Sequence, residues 1–159
     1  MCFFVDKTFK EIMGSYPTGV SIVTTMIDNK PVGLTVNSFA SVSINPLLVS
    51  WCIDKKSNSL KAFLHSDKFA VNILSGHQKE ECFIFANSTE SDRFSKVSWT
   101  KSSNHLPILE GVFAVLECKK FQEVDAGDHF ILIGEVIDLQ RTENKPMFYY
   151  QKQVSVVPV

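Results

Sequence analysis

Two long segments with strand character lie in the last third of the chain, Gly111–Val124 and His129–Leu139, and they constrain the fold most. The four residues between them, Asp125–Asp128, contain the Gly and Asp that suit the turn of a β-hairpin. Strands of this length beside so few helices favour an antiparallel barrel over a doubly wound parallel sheet. No GxGxxG follows the first strand, which excludes a Rossmann dinucleotide site. We therefore predict a mainly β fold, an antiparallel barrel with a few peripheral helices.

The region before this hairpin contains shorter strands and helices. Runs rich in β-branched or apolar residues predict strands at Val20–Ile27, Pro31–Phe39, Leu47–Ile53 and Phe69–Leu74. Apolar residues spaced three and four apart predict helices at Asp6–Met13, Ser57–His65 and His77–Ala86. The 159 residues show no repeat, low-complexity tract or linker and are enough to bury one core. We predict one continuous domain over residues 1–159.

The charge balance and the cysteines exclude several classes of function. A net charge of −1 lacks the basic excess that nucleic-acid binding normally requires. No apolar run approaches the roughly 20 residues that cross a bilayer, and the N-terminus lacks the basic and apolar regions of a signal peptide. The four cysteines form no CxxC pair, and the histidines show no metal-ligand spacing. We expect a cytoplasmic protein with reduced thiols, no metal, and no nucleic-acid or membrane partner.

A row of small polar side chains follows the second predicted strand. In an unbroken strand alternate residues share a face, which would align Thr35, Asn37, Phe39, Ser41 and Ser43. Hydroxyls and an amide on one face of an apolar sheet suit the polar edge of a flat heteroaromatic ligand. A solvent-facing edge rich in Ser and Thr fits the same spacing equally well.

The segment Asp54–Ser59 lies at the start of a predicted helix and contains two lysines and two serine hydroxyls. Unpaired N–H groups and a partial positive charge make the start of a helix a favourable place for phosphate. The alternative is that Ser57 or Ser59 caps the helix and that the lysines are solvated. The position of this segment, one strand after the polar row, favours the phosphate interpretation.

His129 directly follows the Gly-Asp turn of the predicted hairpin, where its side chain can extend over a neighbouring pocket. The alternative is a turn histidine that faces water. The sequence contains no nucleophile elbow and no P-loop. Hydride transfer between two stacked rings requires no protein nucleophile, so these residues are compatible with a flavin enzyme.

Eight short motifs, taken together and in order, resemble the flavin reductase family with a split-barrel flavin-binding fold. Members of this family are reductase components of two-component flavin-dependent monooxygenases. The resemblance covers Phe9 to Tyr150, nearly the whole chain. Its motifs are Tyr16–Thr25, Gly33–Ser43, Asn45–Leu48, Lys56–Ser57, Phe69–Leu74, Asp92–Phe94, Leu109–Gly111 and Ala126–His129.

The resemblance implies an NAD(P)H-dependent flavin reductase that transfers a hydride from nicotinamide C4 to flavin N5. The flavin would be FMN or FAD and the reductant NADH or NADPH. The resemblance further implies a homodimer, with the flavin site near the subunit interface, and an oxygenase partner that receives the reduced flavin. The alternative is a flavin-binding electron relay or carrier module that does not itself oxidise NAD(P)H.

The resemblance also assigns roles to individual residues. The flavin ring and ribityl chain would be lined by Thr35, Asn37, Ser38, Ser41, Val42 and Ser43. The phosphate would be bound by Lys56, Ser57 and Ser59. Phe85 and Arg93 would lie near the phosphate or the adenylate side of the flavin. His129 matches the histidine that helps to seat the nicotinamide, which makes it the predicted catalytic residue.

Overall fold

The computed structural model describes residues 2–156, with side chains from residue 5 onward. The helices in this range are α1 Cys2–Gly14, α2 Leu60–His65 and α3 Lys79–Ala86, with a 3-10 turn at Phe94–Lys96. The strands are β1 Thr18–Gly19, β2 Ser21–Ile27, β3 Lys30–Val36, β4 Ala40–Ile44, β5 Leu47–Asp54, β6 Lys68–Ile73, β7 Trp99–Lys101, β8 Pro107–Leu109, β9 Ala114–Ala126, β10 His129–Arg141, β11 Met147–Tyr150 and β12 Gln153–Val156.

The predicted C-terminal hairpin is confirmed, although β9 runs from Ala114 to Ala126 rather than from Gly111 to Val124 and β10 extends to Arg141 rather than Leu139. Strands β9 and β10 pair antiparallel from Ala126 opposite His129 to Ala114 opposite Arg141. Gly127 takes a φ of 68° at the first position of the two-residue turn, as a type II′ turn requires. The hairpin places His129 at the end of the sheet, immediately after the turn.

Seven strands form one antiparallel sheet in the order β3-β2-β6-β9-β10-β5-β4. Only residues 37–39 connect the two edge strands, β3 and β4. In a flat sheet with strands about 4.8 Å apart these edges would be about 29 Å from each other. The connection from Val36 to Ala40 spans at most about 14 Å, so the sheet must curl until its edges approach. The ladders within residues 2–156 do not join β3 to β4, so the barrel stays open along this seam. The predicted mainly β barrel with peripheral helices is confirmed.

The predicted strand Pro31–Phe39 is too long, because β3 ends at Val36 and the chain crosses to the opposite edge of the sheet. The Ser38 hydroxyl accepts the backbone N–H of Cys52 at 2.9 Å and holds the crossing segment against β5. The register of β4 against β5 also shifts between Ser41 and Ser43. The expectation that Phe39 and four polar residues share one face of one strand is therefore wrong.

All three predicted helices have different bounds in the structure, and α3 begins at Lys79 rather than His77. Helix α2 begins at Leu60 rather than Ser57, because residues 54–59 form turns in which the Asp54 carbonyl accepts the N–H of Ser57 at 2.9 Å. Helix α1 covers Cys2–Gly14 rather than Asp6–Met13. None of the helices in residues 2–156 is long and apolar enough to cross a membrane.

The core has two apolar clusters, one on each side of β2 and β6. In one, Trp51 packs edge-on against Phe63 and Phe69, with ring centroids 4.9 and 5.7 Å away. In the other, Phe85 of α3 packs edge-on against Phe94 at 5.0 Å. The second cluster fixes α3 against β3, and the candidate site lies along this contact.

Candidate functional site

Three adjoining clefts lie along β3 and α3. The central cleft, of about 150 Å³, is the place where six predicted site residues meet. These residues are Thr35, Lys56, Ser57, Ser59, Phe85 and Arg93. An apolar cleft of about 230 Å³ shares Thr35 and Ala86 with the central cleft and also contains Asn37. A polar cleft of about 590 Å³ shares Asn58, Ser59, Ser88 and Arg93 with the central cleft.

Arg93 lies between the central and polar clefts and is held in place by two backbone carbonyls. Its Nη1 donates to the oxygen of Gly33 at 2.6 Å, and its Nη2 donates to the oxygen of Asn87 at 2.8 Å. Its Nε is buried and has no hydrogen-bond partner among the described residues. Burial lowers the pKa of the guanidinium from its usual high value, and the nearby Glu90 partly opposes this shift. Arg93 nevertheless lines both clefts, so its positive charge is available to attract an anionic ligand.

Phe85 contributes to the site mainly through packing, because only 1% of its surface is exposed. Its ring lies directly on Gly33, where an added Cβ would come within 2.9 Å of Phe85 Cε1. A glycine in the middle of β3 therefore allows α3 to approach the strand closely. The carbonyl of the same glycine binds Arg93, so this contact also positions the guanidinium.

Residues 56–59, the second part of the turn formed by residues 54–59, line the central cleft. The Asp54 carboxylate accepts the backbone N–H of Lys56 at 2.7 Å, and the Ser57 hydroxyl accepts that of Ser59 at 3.2 Å. Ser59 is the residue before α2, yet its hydroxyl makes no capping hydrogen bond to the helix. Lys55 pairs with Asp125 at 2.7 Å, whereas Lys56 takes no part in the ion pairs of the described residues. Capping and surface pairing therefore do not account for Lys56 and Ser59.

His129 lies beside this turn, because β10 pairs with β5 so that His129 is opposite Asp54. The Asp128 carbonyl accepts the N–H of Lys55 at 2.9 Å and ties the hairpin to the turn. The Asp128 carboxylate lies 2.7 Å from His129 Nδ1, and this hydrogen bond is the main reason why the pKa of Asp128 is lowered. With Nδ1 held in this way, Nε2 of the half-exposed ring is the nitrogen left to contact a ligand.

The remaining predicted residues lie outside the three clefts. The Ser38 hydroxyl contacts the backbone of Cys52, and Cys52 lies two residues before the end of β5. Because His129 pairs with the last residue of β5, Ser38 lies near His129. Ser41 pairs opposite Val49, five residues away from Asp54 along β5. At about 3.4 Å per residue that separation is about 17 Å. The flavin-lining roles of Ser41, Val42 and Ser43 therefore stay predictions that the clefts do not support.

The sequence did not indicate several residues that line the clefts. The loop at residues 88–91 forms one wall of the polar cleft, and Tyr149 and Lys152 of the last hairpin line the apolar cleft. The only local signal was the polar composition of Ser88–Ser91, which is typical of any surface loop. Their place at the site follows from contacts between segments far apart in the chain.

The donor set of the central cleft fits a phosphate ester. Lysine, arginine and two serines line it, and their side chains are of the kinds that bind phosphate oxygens. In the described residues no group of three or more His, Cys, Asp and Glu side chains is arranged to hold a metal ion. A flavin phosphate fits this arrangement.

Comparison with known proteins shows the family to which the chain belongs. Residues 13–158 match the family described as flavin reductase like domain. The chain belongs to this family. A flavin reductase of Pseudomonas putida is 42% identical over 145 residues, which are 90% of this chain and 85% of that protein. A Streptomyces globisporus NADH:FAD oxidoreductase, in complex with NAD and FAD fragments, superposes with a TM-score of 0.91 at 31% identity and covers 96% of this chain and 93% of that one.

A third relative is the reductase component of a flavin-dependent trigonelline monooxygenase from Acinetobacter baylyi. It is 41% identical over 146 residues, and the match covers 91% of this chain but 47% of that protein. Family membership confirms the split-barrel fold and the predicted enzyme class, an NAD(P)H:flavin oxidoreductase. The alternative of a flavin carrier without reductase activity is not supported.

Proposed function

We propose that this chain, as a single domain, supplies reduced flavin to an oxygenase and that the flavin phosphate binds in the central cleft. The observation that carries the proposal is the convergence of Lys56, Ser57 and the guanidinium-bearing Arg93 on that cleft. When bound, the flavin supplies the redox chemistry by accepting a hydride at N5 from nicotinamide C4. The protein residues bind and orient the two ring systems and exclude water.

The flavin ring would extend from the phosphate toward the open seam of the barrel between β3 and β4. Thr35 lies near the end of β3, and Asn37 and Ser38 lie in the segment that crosses the seam. Thr35 already donates its hydroxyl to the Cys82 carbonyl at 2.7 Å, so its methyl group is the part left to contact a ring. The exposed amide of Asn37 is available to the polar edge of the flavin. His129, at the same end of the sheet, would seat the nicotinamide through Nε2.

The phosphate site is tested by comparing two flavins that differ only in the phosphate. In Lys56→Ala we expect the Kd for FMN to rise roughly tenfold or more, because a charge-assisted hydrogen bond is lost. The Kd for riboflavin should not change. The matched control is Lys101→Ala, an exposed lysine on β7 outside the clefts, which should alter neither Kd. Equal loss of FMN and riboflavin binding would contradict the phosphate role of Lys56.

The role of His129 is tested by the split between kcat and KM. His129→Ala should raise the KM for the nicotinamide and lower the turnover, with the Kd for flavin within about twofold of wild type. Asp128→Asn keeps the shape of the partner but removes the charge that holds Nδ1, so a smaller effect in the same direction is expected. An unchanged rate in His129→Ala would exclude His129 from the site.

We also propose that the chain forms a homodimer. The hairpin of β4 and β5 exposes Val42, Ile44 and Leu47, and 87% of the Ile44 surface is accessible. Adjacent exposed apolar side chains of this kind mark protein interfaces. Sedimentation should give a dimer for the wild type and a monomer for Ile44→Asp. A wild-type protein that sediments as a monomer at micromolar concentration would contradict this proposal.

An oxygenase partner and a cytoplasmic location complete the proposal. The reductases of two-component monooxygenases act beside a separate oxygenase, as the name of the Acinetobacter relative indicates. Cys52, Cys82 and Cys118 are unpaired thiols, which suits a reducing compartment. Adding a flavin-dependent oxygenase to the reductase and NAD(P)H should restore oxygenation of the substrate of that oxygenase. Failure with reduced flavin demonstrably present would contradict the partner assignment.

A further inference from the structure

Lys55 joins the turn formed by residues 54–59 to the hairpin of β9 and β10 through three separate contacts. Its backbone N–H donates to the Asp128 carbonyl at 2.9 Å. Its ammonium lies 2.7 Å from the Asp125 carboxylate and 5.0 Å from the centroid of the Phe130 ring, which is within the range of a cation–π contact. This one residue therefore fixes the end of β5 against the end of the hairpin.

The two segments that Lys55 joins contain the two proposed subsites of the reaction. Lys56, the next residue in the chain, lines the central cleft proposed for the flavin phosphate. His129, at the start of β10, is proposed to seat the nicotinamide. The pKa of Asp128 is lowered first by its hydrogen bond to His129 and, to a smaller extent, by the charge of Lys56. The two subsites are therefore close enough for their charges to interact.

Lys55 contacts the hairpin on the face away from His129. Asp125 and Phe130 are opposite each other in the ladder of β9 and β10, so their side chains share one face. Side chains alternate along a strand, which places the His129 side chain on the other face. Among the described residues that line the three clefts, Lys56 is present and Lys55 is not. Lys55 is therefore placed to act on the site through the hairpin, without contact to a ligand.

We propose that Lys55 is a positioning residue of the reductase, which holds His129 at the correct distance from the flavin through its ion pair with Asp125. The inference rests on the proposed function, because it takes His129 as the residue that seats the nicotinamide. The two rings must meet at about 3–3.5 Å, and a misplacement of about 1 Å can slow such a reaction about a hundredfold. An ion pair between partly exposed side chains is weak, so its loss should loosen the hairpin without unfolding the protein.

The first test removes the charge of Lys55 and keeps most of the length of its side chain. In Lys55→Met the KM for the nicotinamide, measured with NADH and with NADPH, should rise about three- to tenfold, because the ion pair and the cation–π contact are both lost. The Kd for FMN should stay within about twofold of the wild-type value. The melting temperature should change by no more than about 4 °C, because the pair is partly exposed.

Two further variants control for charge alone. Lys55→Arg keeps the charge and both side-chain contacts, and it should restore the wild-type KM for the nicotinamide. Lys119→Met removes the same charge from an exposed lysine in the middle of β9, outside the clefts, and should leave that KM unchanged. If Lys119→Met raises the KM as much as Lys55→Met does, the effect is one of net charge and the inference is wrong.

Asp125→Asn distinguishes positioning from direct contact between Lys55 and the reductant. If Lys55 positions the hairpin, the loss of the ion pair should raise the KM for the nicotinamide about 1.5- to fivefold. If Lys55 instead contacts the phosphates of the reductant, removal of the competing carboxylate should lower that KM, which would overturn the inference. Positioning through His129 also requires that Lys55→Met has little further effect in His129→Ala protein, and full multiplication of the two effects would refute it.

The remaining outcomes separate this inference from the function on which it rests. An unchanged KM in both Lys55→Met and Asp125→Asn would overturn the inference alone, since continued oxidation of NADH would leave the flavin reductase function intact. A rise in the Kd for FMN as large as the rise in KM would assign Lys55 to the flavin phosphate and would also overturn it. Failure of the wild type to reduce any flavin would contradict the proposed function itself.

Discussion

Replacing Phe85 by Ala should destabilise the fold far more than it weakens flavin binding. The resemblance to flavin reductases predicts a ligand contact for this residue, but the structure buries its ring between Gly33 and Phe94. With 1% of Phe85 exposed, truncation leaves a cavity in the second core cluster. Buried Phe→Ala changes cost about 3–5 kcal/mol, and the lost edge-to-face pair places this one in the upper half of that range.

The cost can be measured by equilibrium unfolding in urea at fixed protein concentration, since a dimer makes stability depend on concentration. The midpoint should fall with little change in slope, and the melting temperature should decrease by about 8–16 °C for a loss near 4 kcal/mol in a chain of this size. Phe85→Leu keeps most of the volume and should lose less than about 1.5 kcal/mol.

Phe83 is the matched control, because it is an aromatic residue on the same helix with 53% of its surface exposed. Phe83→Ala should change the free energy of unfolding by no more than about 0.5 kcal/mol. If Phe85→Ala unfolds within about 0.5 kcal/mol of wild type but no longer binds flavin, the packing argument is wrong and Phe85 is a ligand contact.

Three further predictions concern packing and ionisation. Gly134→Ala should lower the free energy of unfolding in urea by about 1–3 kcal/mol, because the new Cβ would come within 2.4 Å of Phe69 Cζ. An unchanged free energy of unfolding would show that the Phe69 ring moves freely. Burial, together with the charge of the adjacent Glu117, raises the pKa of the Cys118 thiol to about 12. The unfolded chain therefore loses this proton first, so the contribution of Cys118 to stability is complete below pH 9 and decreases toward pH 12, as urea titrations across that range should show. For the same reason Cys118 should resist alkylation at pH 8 in the native protein and react on unfolding, which peptide mass spectrometry can follow.

Local features of the sequence determine the turns of two hairpins. Gly127 needs a positive φ that a glycine adopts without cost, and its turn joins the two longest strands. The turn between β2 and β3 has Asp28 and Asn29 at φ values of 49° and 60°, a conformation that these residue types tolerate. In both places the residues that determine the structure are neighbours in the chain.

Features that depend on contacts between distant segments were not predictable in the same way. The end of β3 at Val36 follows from closure of the barrel and from the bond between Ser38 and Cys52. Propensity alone favours a continuous strand through Phe39. Likewise, Arg93 reaches the site through the carbonyl of Gly33, sixty residues earlier in the chain. The motifs of the family suggested candidate residues, whereas only the fold shows which of them meet.

Anaerobic mixing of the purified protein and FAD with NADH, and then with NADPH, tests the central claim most directly. The absorbance of the nicotinamide and that of the oxidised flavin should decrease at the same rate, with no other protein present. The two decreases should correspond to equal molar amounts of nicotinamide oxidised and flavin reduced. Repeating the measurement with FMN and riboflavin shows how far the phosphate and adenylate groups matter. If the protein binds flavin but neither nicotinamide reduces it, the chain does not carry out hydride transfer and the account is contradicted.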